Sequence, residues 1–126
     1  MDTELILNFT NYTSHKISSE GIKKILIAQL IERNKKGIFV ISVTVCGNRR
    51  IRSLNKKYRD IDRPTDVLSF GQIKVENEDM PKMLGDIVIS AQKIESQARE
   101  FKVSFDDEFD KMLVHGLKHL LGIHHK

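Results

Sequence analysis

The sequence is poor in cysteine and has neither a long apolar run nor a secretory leader. Cys46 is the one cysteine among 126 residues, so no internal disulfide can form and no oxidising compartment is implied. No stretch approaches the roughly 18 apolar residues of a membrane span. The first ten residues include Asp2 and Glu4 and lack a basic start followed by an apolar segment. We therefore expect a cytoplasmic protein without a membrane partner, in which Cys46 belongs to the core.

Composition and length indicate one globular domain covering residues 1–126. Hydrophobic residues make up 40% of the chain and charged residues 30%, which is ordinary for a folded domain of this size. The 21 basic and 17 acidic residues leave a net charge of +4. This mild excess permits a polyanionic partner without requiring one.

The apolar pattern predicts an α+β fold, a small mixed four-stranded sheet packed with about four helices. Strands are predicted at 5–9, 38–46, 66–70 and 86–89, and a loop at 71–83. Helices are predicted from a cap at Ser18 or Ser19 to a stop at Gly37, from a cap at Asn48 to about Tyr58, from a cap at Ser90 through Phe101, and from Ser104 to Gly122.

Four of the five histidines fall between residues 115 and 125, and three of them have the spacing of a metal site. His115 and His119 are four apart on the last predicted helix, so they project from one face about 6 Å apart. Gly122 suits the left-handed residue that ends such a helix. The chain can then turn back and bring His125 to the same point, which makes a helix with ordinary surface histidines the weaker interpretation.

The complete pattern, His-x-x-x-His-x-x-Gly-x-x-His, has the spacing of the metzincin zinc proteases. Those proteases carry a general-base Glu directly after the first His, where this chain has Gly116. The pattern thus predicts a metzincin-like zinc site at the C-terminal helix without that base. Three nitrogen ligands leave one position open, and zinc there would lower the pKa of a bound water to about 7. Three imidazoles also suit nickel, copper or iron.

A second feature is a basic segment within the second predicted helix. Its six cations are Arg49, Arg50, Arg52, Lys56, Lys57 and Arg59. Such a segment attracts phosphates, although a solvated helix face is an equally good interpretation of the charges alone. Arg49, Arg52, Lys56 and Lys57 are candidate RNA contacts. Arg59 stands apart because it ends the helix before a turn, where a guanidinium can hold a phosphate through two hydrogen bonds.

Three stretches resemble the signatures of the YbeY endoribonuclease family. The first comprises 54–59 (LNKKYR) and 62–70 (DRPTDVLSF), the second is 85–87 (GDI), and the third is 115–125 (HGLKHLLGIHH). They occur in the family's order and span nearly the whole chain. The long first and third stretches are specific, whereas GDI alone is weak. The chain departs from the family at Ile123 and His124, where Tyr-Asp is usual, so the role of His124 stays open.

The resemblance implies a cytoplasmic, single-strand-specific and metal-dependent endoribonuclease that acts in ribosomal RNA maturation and ribosome quality control. By motif match, His115, His119 and His125 would bind one zinc ion per chain, and Arg59 would be the catalytic arginine. The implied partners are single-stranded ribosomal RNA and the ribosome or its proteins.

Two other functions and one catalytic role remain open. A non-catalytic RNA- or ribosome-binding module with a structural zinc is disfavoured by the open ligand position, because structural sites usually have four protein ligands. A zinc peptidase is disfavoured by Gly116. Asp62, Asp66 and Asp86 are each conceivable as the general base, although each is also a typical turn or capping residue.

Overall fold

The chain folds into one mixed sheet with helices on both faces. A computed structural model describes residues 2–71 and 81–122. Within these ranges the elements are β1 (Thr3–Asn11), α1 (Ser19–Glu32), β2 (Gly37–Cys46), α2 (Asn48–Arg59), β3 (Val67–Gly71), β4 (Lys82–Ser90), α3 (Ala91–Phe101) and α4 (Phe105–Leu120). The predicted α+β class, with four strands and four helices in the described ranges, is confirmed. None of the described helices is long and apolar enough to span a membrane.

The four strands are ordered β1-β2-β4-β3. β1 pairs with β2 and β2 pairs with β4 in parallel, whereas β3 pairs antiparallel with β4 at the edge. The two inner strands are therefore β2 and β4, and both carry nearly continuous apolar runs, as strands covered on both faces do.

The two faces of the sheet carry different helices, because successive side chains of a strand point to opposite sides. The large core includes Leu26 of α1, Ile94 of α3 and Leu113 of α4, packed against one face. The smaller cluster packs α2 against the other face, through the residues Cys46, Ile51, Leu68 and Val88, with Leu54 and Phe70 beside them. Burial of Cys46 confirms that it is a core residue and raises the pKa of its thiol.

The predicted serine caps are confirmed by their hydrogen bonds. Ser18, Ser90 and Ser104 accept hydrogen bonds from the backbone N–H groups of Gly21, Lys93 and Asp107 at 3.0, 3.3 and 3.0 Å. These bonds satisfy amides that have no partner inside the first turn of a helix. Gly122 also has the positive φ, 78°, that its place after the last helix predicted.

Three predicted boundaries are wrong. Gly47 rather than Asn48 is the N-cap of α2, and Asn48 instead pairs its side chain with Ser90 Oγ at 2.6 Å. α1 ends at Glu32, because Asn34 takes the left-handed conformation before Gly37 is reached. Gly37 is instead the first residue of β2.

The last strand is longer than the sequence pattern predicted. β4 begins at Lys82, inside the stretch expected to be a loop, and its pairing with β2 shifts between Val40 and Ile41. Gly85 lies at this irregularity with φ 136°, and a Cβ there would lie 2.1 Å from the carbonyl oxygen of Phe70. The glycine of the short GDI stretch is therefore required by the close approach of β3.

Candidate active site

The last two turns of α4 bring His115 and His119 together. Their Nε2 atoms are 3.1 Å apart, and the ring centroids are 4.6 Å apart with the planes inclined at 52°. Both side chains are half-buried. The i, i+4 spacing thus produces two ring nitrogens that converge on one point, as the sequence predicted.

The spacing of these two nitrogens fits one shared metal ion. Zinc–nitrogen bonds of about 2.0–2.1 Å at a tetrahedral angle place two imidazole nitrogens about 3.3 Å apart. The predicted third ligand, His125, and its neighbour His124 lie outside the described residues. Within the described ranges no group of three His, Cys, Asp or Glu side chains is placed to hold a metal. The described part of the site is therefore a pair of nitrogen donors.

Tight packing at Gly116 holds the histidine pair against the sheet. A Cβ at this position would lie 2.8 Å from Ile87 Cγ2, 3.2 Å from Ser69 Oγ and 3.3 Å from Val67 Cγ2. Ser69 Oγ also donates a hydrogen bond of 3.0 Å to the carbonyl oxygen of Gly116. The residue between the two histidines is thus in direct contact with both β3 and β4, and this fixes where the histidine pair lies.

A groove of about 440 Å³ runs along α4 beside the first histidine. Its lining includes Asp110, Val114, His115 and Lys118. Burial raises the pKa of Asp110, and the nearby carboxylates of Asp106 and Asp107 raise it further. Lys118 lies on the same wall of the groove as His115.

Arg59 lies at the far end of α2, on the opposite face of the sheet from α4. Its side chain is exposed, and no hydrogen bond or ion pair joins it to another residue in the described part of the chain. Asp60 ends the helix in the left-handed conformation. The buried Asn55 donates a hydrogen bond of 2.9 Å to the carbonyl oxygen of Arg63 and so holds the loop that follows. Edge strand β3 separates Arg59 from the histidine pair.

The candidate RNA contacts on α2 differ in how strongly they are already paired. Arg52 Nε lies 2.8 Å from Asp62 Oδ1, and Lys56 Nζ lies 3.9 Å from Asp62 Oδ2. The hydrogen bond from Arg52 lowers the pKa of Asp62 and raises that of Arg52. Arg49 and Lys57 are exposed, without a carboxylate partner in the described ranges.

The other two candidate bases have different surroundings. Asp66 accepts hydrogen bonds from the Val67 backbone N–H at 2.8 Å and from Gln97 at 3.2 Å. This carboxylate therefore fixes the start of β3 and ties it to α3. Asp86 is half-buried in β4 opposite Phe70, on the sheet face that α2 packs against. Asp86 therefore faces away from α4, whereas Asp66 lies at the start of β3 and its carboxylate reaches α3.

Sequence reasoning missed three residues that shape this site. Ser69 is 47 residues from Gly116 in sequence, and nothing in its local pattern indicates their hydrogen bond. Asn55 resembles an ordinary polar residue of a helix, although it is buried. Asp110 precedes His115 by five residues on the same helix, a position from which helical geometry could have placed it beside the groove.

Comparison with known proteins decides the family. A family model described as endoribonuclease YbeY matches residues 7–126.

The chain belongs to the YbeY family.

Individual relatives agree with this assignment. The endoribonuclease YbeY of Bacillus mycoides is 45% identical over 133 residues, covering 96% of this chain and 83% of that protein. That of Bacillus cereus is also 45% identical, over 92 residues that cover 68% of this chain and 59% of that protein. A Thermotoga maritima protein solved in solution matches with a TM-score of 0.59 and 26% identity, covering 96% of this chain and 75% of that one. YbeY membership thus extends over nearly all of the chain and over its fold.

Proposed function

We propose that the chain is a zinc-dependent endoribonuclease that cleaves single-stranded ribosomal RNA during ribosome maturation and quality control in the cytoplasm. The observation that carries the proposal is the convergence of His115 and His119 Nε2 atoms, 3.1 Å apart, in a chain of the YbeY family. Endoribonuclease is the activity that the related Bacillus proteins are named for. The ribosome or its proteins would be the partners that present the RNA.

The residues of α4 would bind the metal and orient the substrate. A zinc ion held by His115, His119 and His125 would polarise a phosphate oxygen and activate the attacking water or hydroxyl. Ser69 and Gly116 hold the two described histidines in place through the contact between α4 and β3. Lys118, on the wall of the groove beside His115, would contact a phosphate of the bound strand.

Arg59 would bind a phosphate of the same RNA strand and hold that strand in place for cleavage. Its exposed guanidinium lacks a carboxylate partner in the described ranges, so both of its terminal nitrogens are available to phosphate oxygens. To reach a phosphate near the histidines, the strand would pass over the edge of the sheet at β3. Binding at both places would hold one RNA strand across that edge.

Metal analysis of protein purified without a histidine tag, combined with RNA cleavage with and without chelator, tests the proposal. We expect one tightly bound metal per chain and cleavage that stops when it is removed. His115→Ala and His119→Ala should each abolish stoichiometric metal, and full occupancy in either variant would contradict the assignment. RNA binding without metal-dependent cleavage would instead indicate a binding module, and zinc-dependent cleavage of protein a peptidase.

The third ligand has a test of its own. The spacing of the motif predicts that His125→Ala loses the metal and that His124→Ala keeps it. The reverse result would show that the terminal turn is shifted by one residue. Metal content measured on the two variants side by side distinguishes these outcomes.

Arg59→Ala should reduce cleavage strongly while changing stability by no more than about 0.5 kcal/mol, as expected for a surface residue. Arg59→Lys should restore little activity, because an ammonium group cannot make the planar two-bond contact. Arg49→Ala is the control, since it removes the same charge from the other end of α2. Equal losses in both variants, reproduced by added salt, would make Arg59 one part of a general basic surface.

A further inference from the structure

Both tyrosines of the chain lie on the surface next to a cation of α2. Tyr12 and Tyr58 are 59% and 58% exposed. Arg50 Cζ lies 3.9 Å from the ring centroid of Tyr12, and Lys57 Nζ lies 5.2 Å from that of Tyr58. Exposed aromatic rings beside cations are the components with which proteins bind single-stranded nucleic acid.

The two cation–ring pairs share one face of α2. Arg50 and Lys57 are seven residues apart, which is almost two full turns, so they point in nearly the same direction about 10 Å apart. At the spacing of about 3.4 Å between stacked nucleotides, this distance corresponds to about three nucleotides. One strand lying along this face would therefore contact both cations, and each cation lies beside one tyrosine ring.

Both tyrosines are joined to regular structure. The backbone N–H of Tyr12 donates a hydrogen bond of 2.9 Å to the carbonyl oxygen of Val45, which extends the contact between β1 and β2. The ring of Tyr58 packs at a tilt against Phe70 of β3, with centroids 5.1 Å apart. The Tyr58 ring therefore loses little conformational entropy when a base stacks on it.

The charge around the rings favours a polyanion. α2 carries six cations and no acidic residue. Asp62 pairs with Arg52 and Lys56, but Arg50 and Lys57 lie against aromatic rings rather than carboxylates. The positive charge closest to the tyrosines is therefore available to phosphates.

We propose that Tyr12, Arg50, Lys57 and Tyr58, here called the tyrosine surface, form a second binding site for single-stranded RNA. One base stacks on each ring, and the two cations contact the phosphates of the nucleotides between them. The site lies on the α2 face of the sheet, opposite α4, so it holds the strand at a distance from the histidine pair. This inference rests on the proposed function, because that function identifies the ligand as RNA.

Intrinsic tyrosine fluorescence tests this site directly. The chain contains two tyrosines and no tryptophan, so its emission reports these two rings alone. Adding a uridine oligomer to the full chain, with chelator present and the oligomer confirmed intact, should quench the emission in a saturable way after correction for absorbance. Tyr12→Phe and Tyr58→Phe should each remove part of the quenched signal and keep the affinity, because phenylalanine still stacks.

The alanine variants measure what each ring contributes. Tyr12→Ala and Tyr58→Ala should each weaken binding by about fivefold to a hundredfold, the range expected from one base–aromatic stack. Ile31→Ala is the control, because Ile31 is 55% exposed in α1, away from α2. Anisotropy of a labelled oligomer gives the affinities, and circular dichroism checks folding. If an alanine variant unfolds, the quenching of tyrosine emission in the unchanged protein and in the phenylalanine variants still tests whether RNA binds at these rings.

Two outcomes would overturn the proposal. RNA binding with no change in tyrosine emission would show that the strand binds elsewhere. Unchanged RNA affinity in both folded alanine variants would show that the tyrosine surface binds another class of partner, such as a protein. The proposed function is tested separately by cleavage. Quenching without cleavage in the metal-loaded protein would retain the tyrosine surface and reject the nuclease, and cleavage without quenching would do the reverse.

Discussion

Gly116 is the residue at which α4 comes closest to the sheet, and it separates the two described histidines in sequence. Its missing side chain leaves room for Ile87, Ser69 and Val67. The zinc proteases with a similar histidine motif have a glutamate at the position of Gly116. Glycine at this position therefore has two separate consequences: the general base of a peptidase is absent, and α4 can pack closely on the sheet.

Gly116→Ala should destabilise the protein by up to about 2 kcal/mol. Overpacking a core typically costs about 1–3 kcal/mol, and the better helix propensity of alanine offsets about 1 kcal/mol of this. The collision with Ile87 Cγ2 is the more important term, because this methyl is on a β-branched residue fixed in the sheet. Urea unfolding measures the change. Gly21→Ala in α1 is the matched control, since its nearest atoms lie at 3.5 and 3.6 Å, and it should be neutral or stabilising.

Asp110→Asn should raise the melting temperature at pH 7. Burial first, and then Asp106 and Asp107, raise the pKa of Asp110, so the folded chain holds this proton more tightly than the unfolded chain. Ionisation above the ordinary aspartate pKa of about 3.9 therefore destabilises the folded state. The gain in melting temperature from Asp110→Asn should be largest at neutral pH and should decrease as the pH falls towards 4. Melting curves over this range check it, and an equal or lower melting temperature at pH 7 would contradict it.

At the scale of elements, α2 is the one helix of the described ranges that packs on its face of the sheet, and it presents its cations outwards. Arg52 and Lys56 are the cations of this helix that Asp62 partly neutralises. Exposed ion pairs of this kind contribute little to stability, so removing one has its main effect on the surface potential.

Asp62→Asn should strengthen binding of single-stranded RNA, because it releases Arg52 and Lys56 to contact phosphates. Asp60→Asn is the control: it removes an equal charge two residues away, from a left-handed position that asparagine also adopts. Anisotropy titrations at low and high salt measure the effect. The gain should be larger for Asp62→Asn than for Asp60→Asn and should shrink with salt. Equal gains would mean that net charge alone matters.

The sequence could predict those element boundaries that are set by hydrogen bonds between residues close in sequence. Ser18, Ser90 and Ser104 were identified as caps because each bonds an amide within three residues. Asn48 was predicted as a cap and is not one, because its side chain pairs with Ser90 and its amide is bonded by Gln92, and neither partner is local. The start of β4 was missed for a related reason, since pairing with β2 extends it beyond its own apolar run.

At the scale of the whole molecule, the sheet separates Arg59 from the histidine pair, and the sequence could not predict how these candidate residues lie relative to one another. The histidine pair was predictable because i, i+4 spacing is a property of one helix, and the structure confirms that the two rings meet. The position of Arg59 on the α2 face depends on how helices divide between the two faces, and no periodicity within α2 contains that information. The contact of Ser69 with Gly116 likewise exists only once the chain is folded.

Zinc should therefore stabilise the entire domain, because α4 packs in the main core and its two histidines exist as a converged pair only in the folded state. Free zinc at about a hundred times its dissociation constant adds about 2.7 kcal/mol, which corresponds to a melting temperature roughly 10 °C higher for a domain of this size. His115→Ala and His119→Ala should abolish the shift. His15→Ala is the control: His15 stacks on Phe105, so its loss lowers the starting temperature but leaves the zinc-dependent increase unchanged. Thermal melts of metal-free protein with added zinc give the result. An equal increase in the His115 or His119 variants would show that zinc acts at another site.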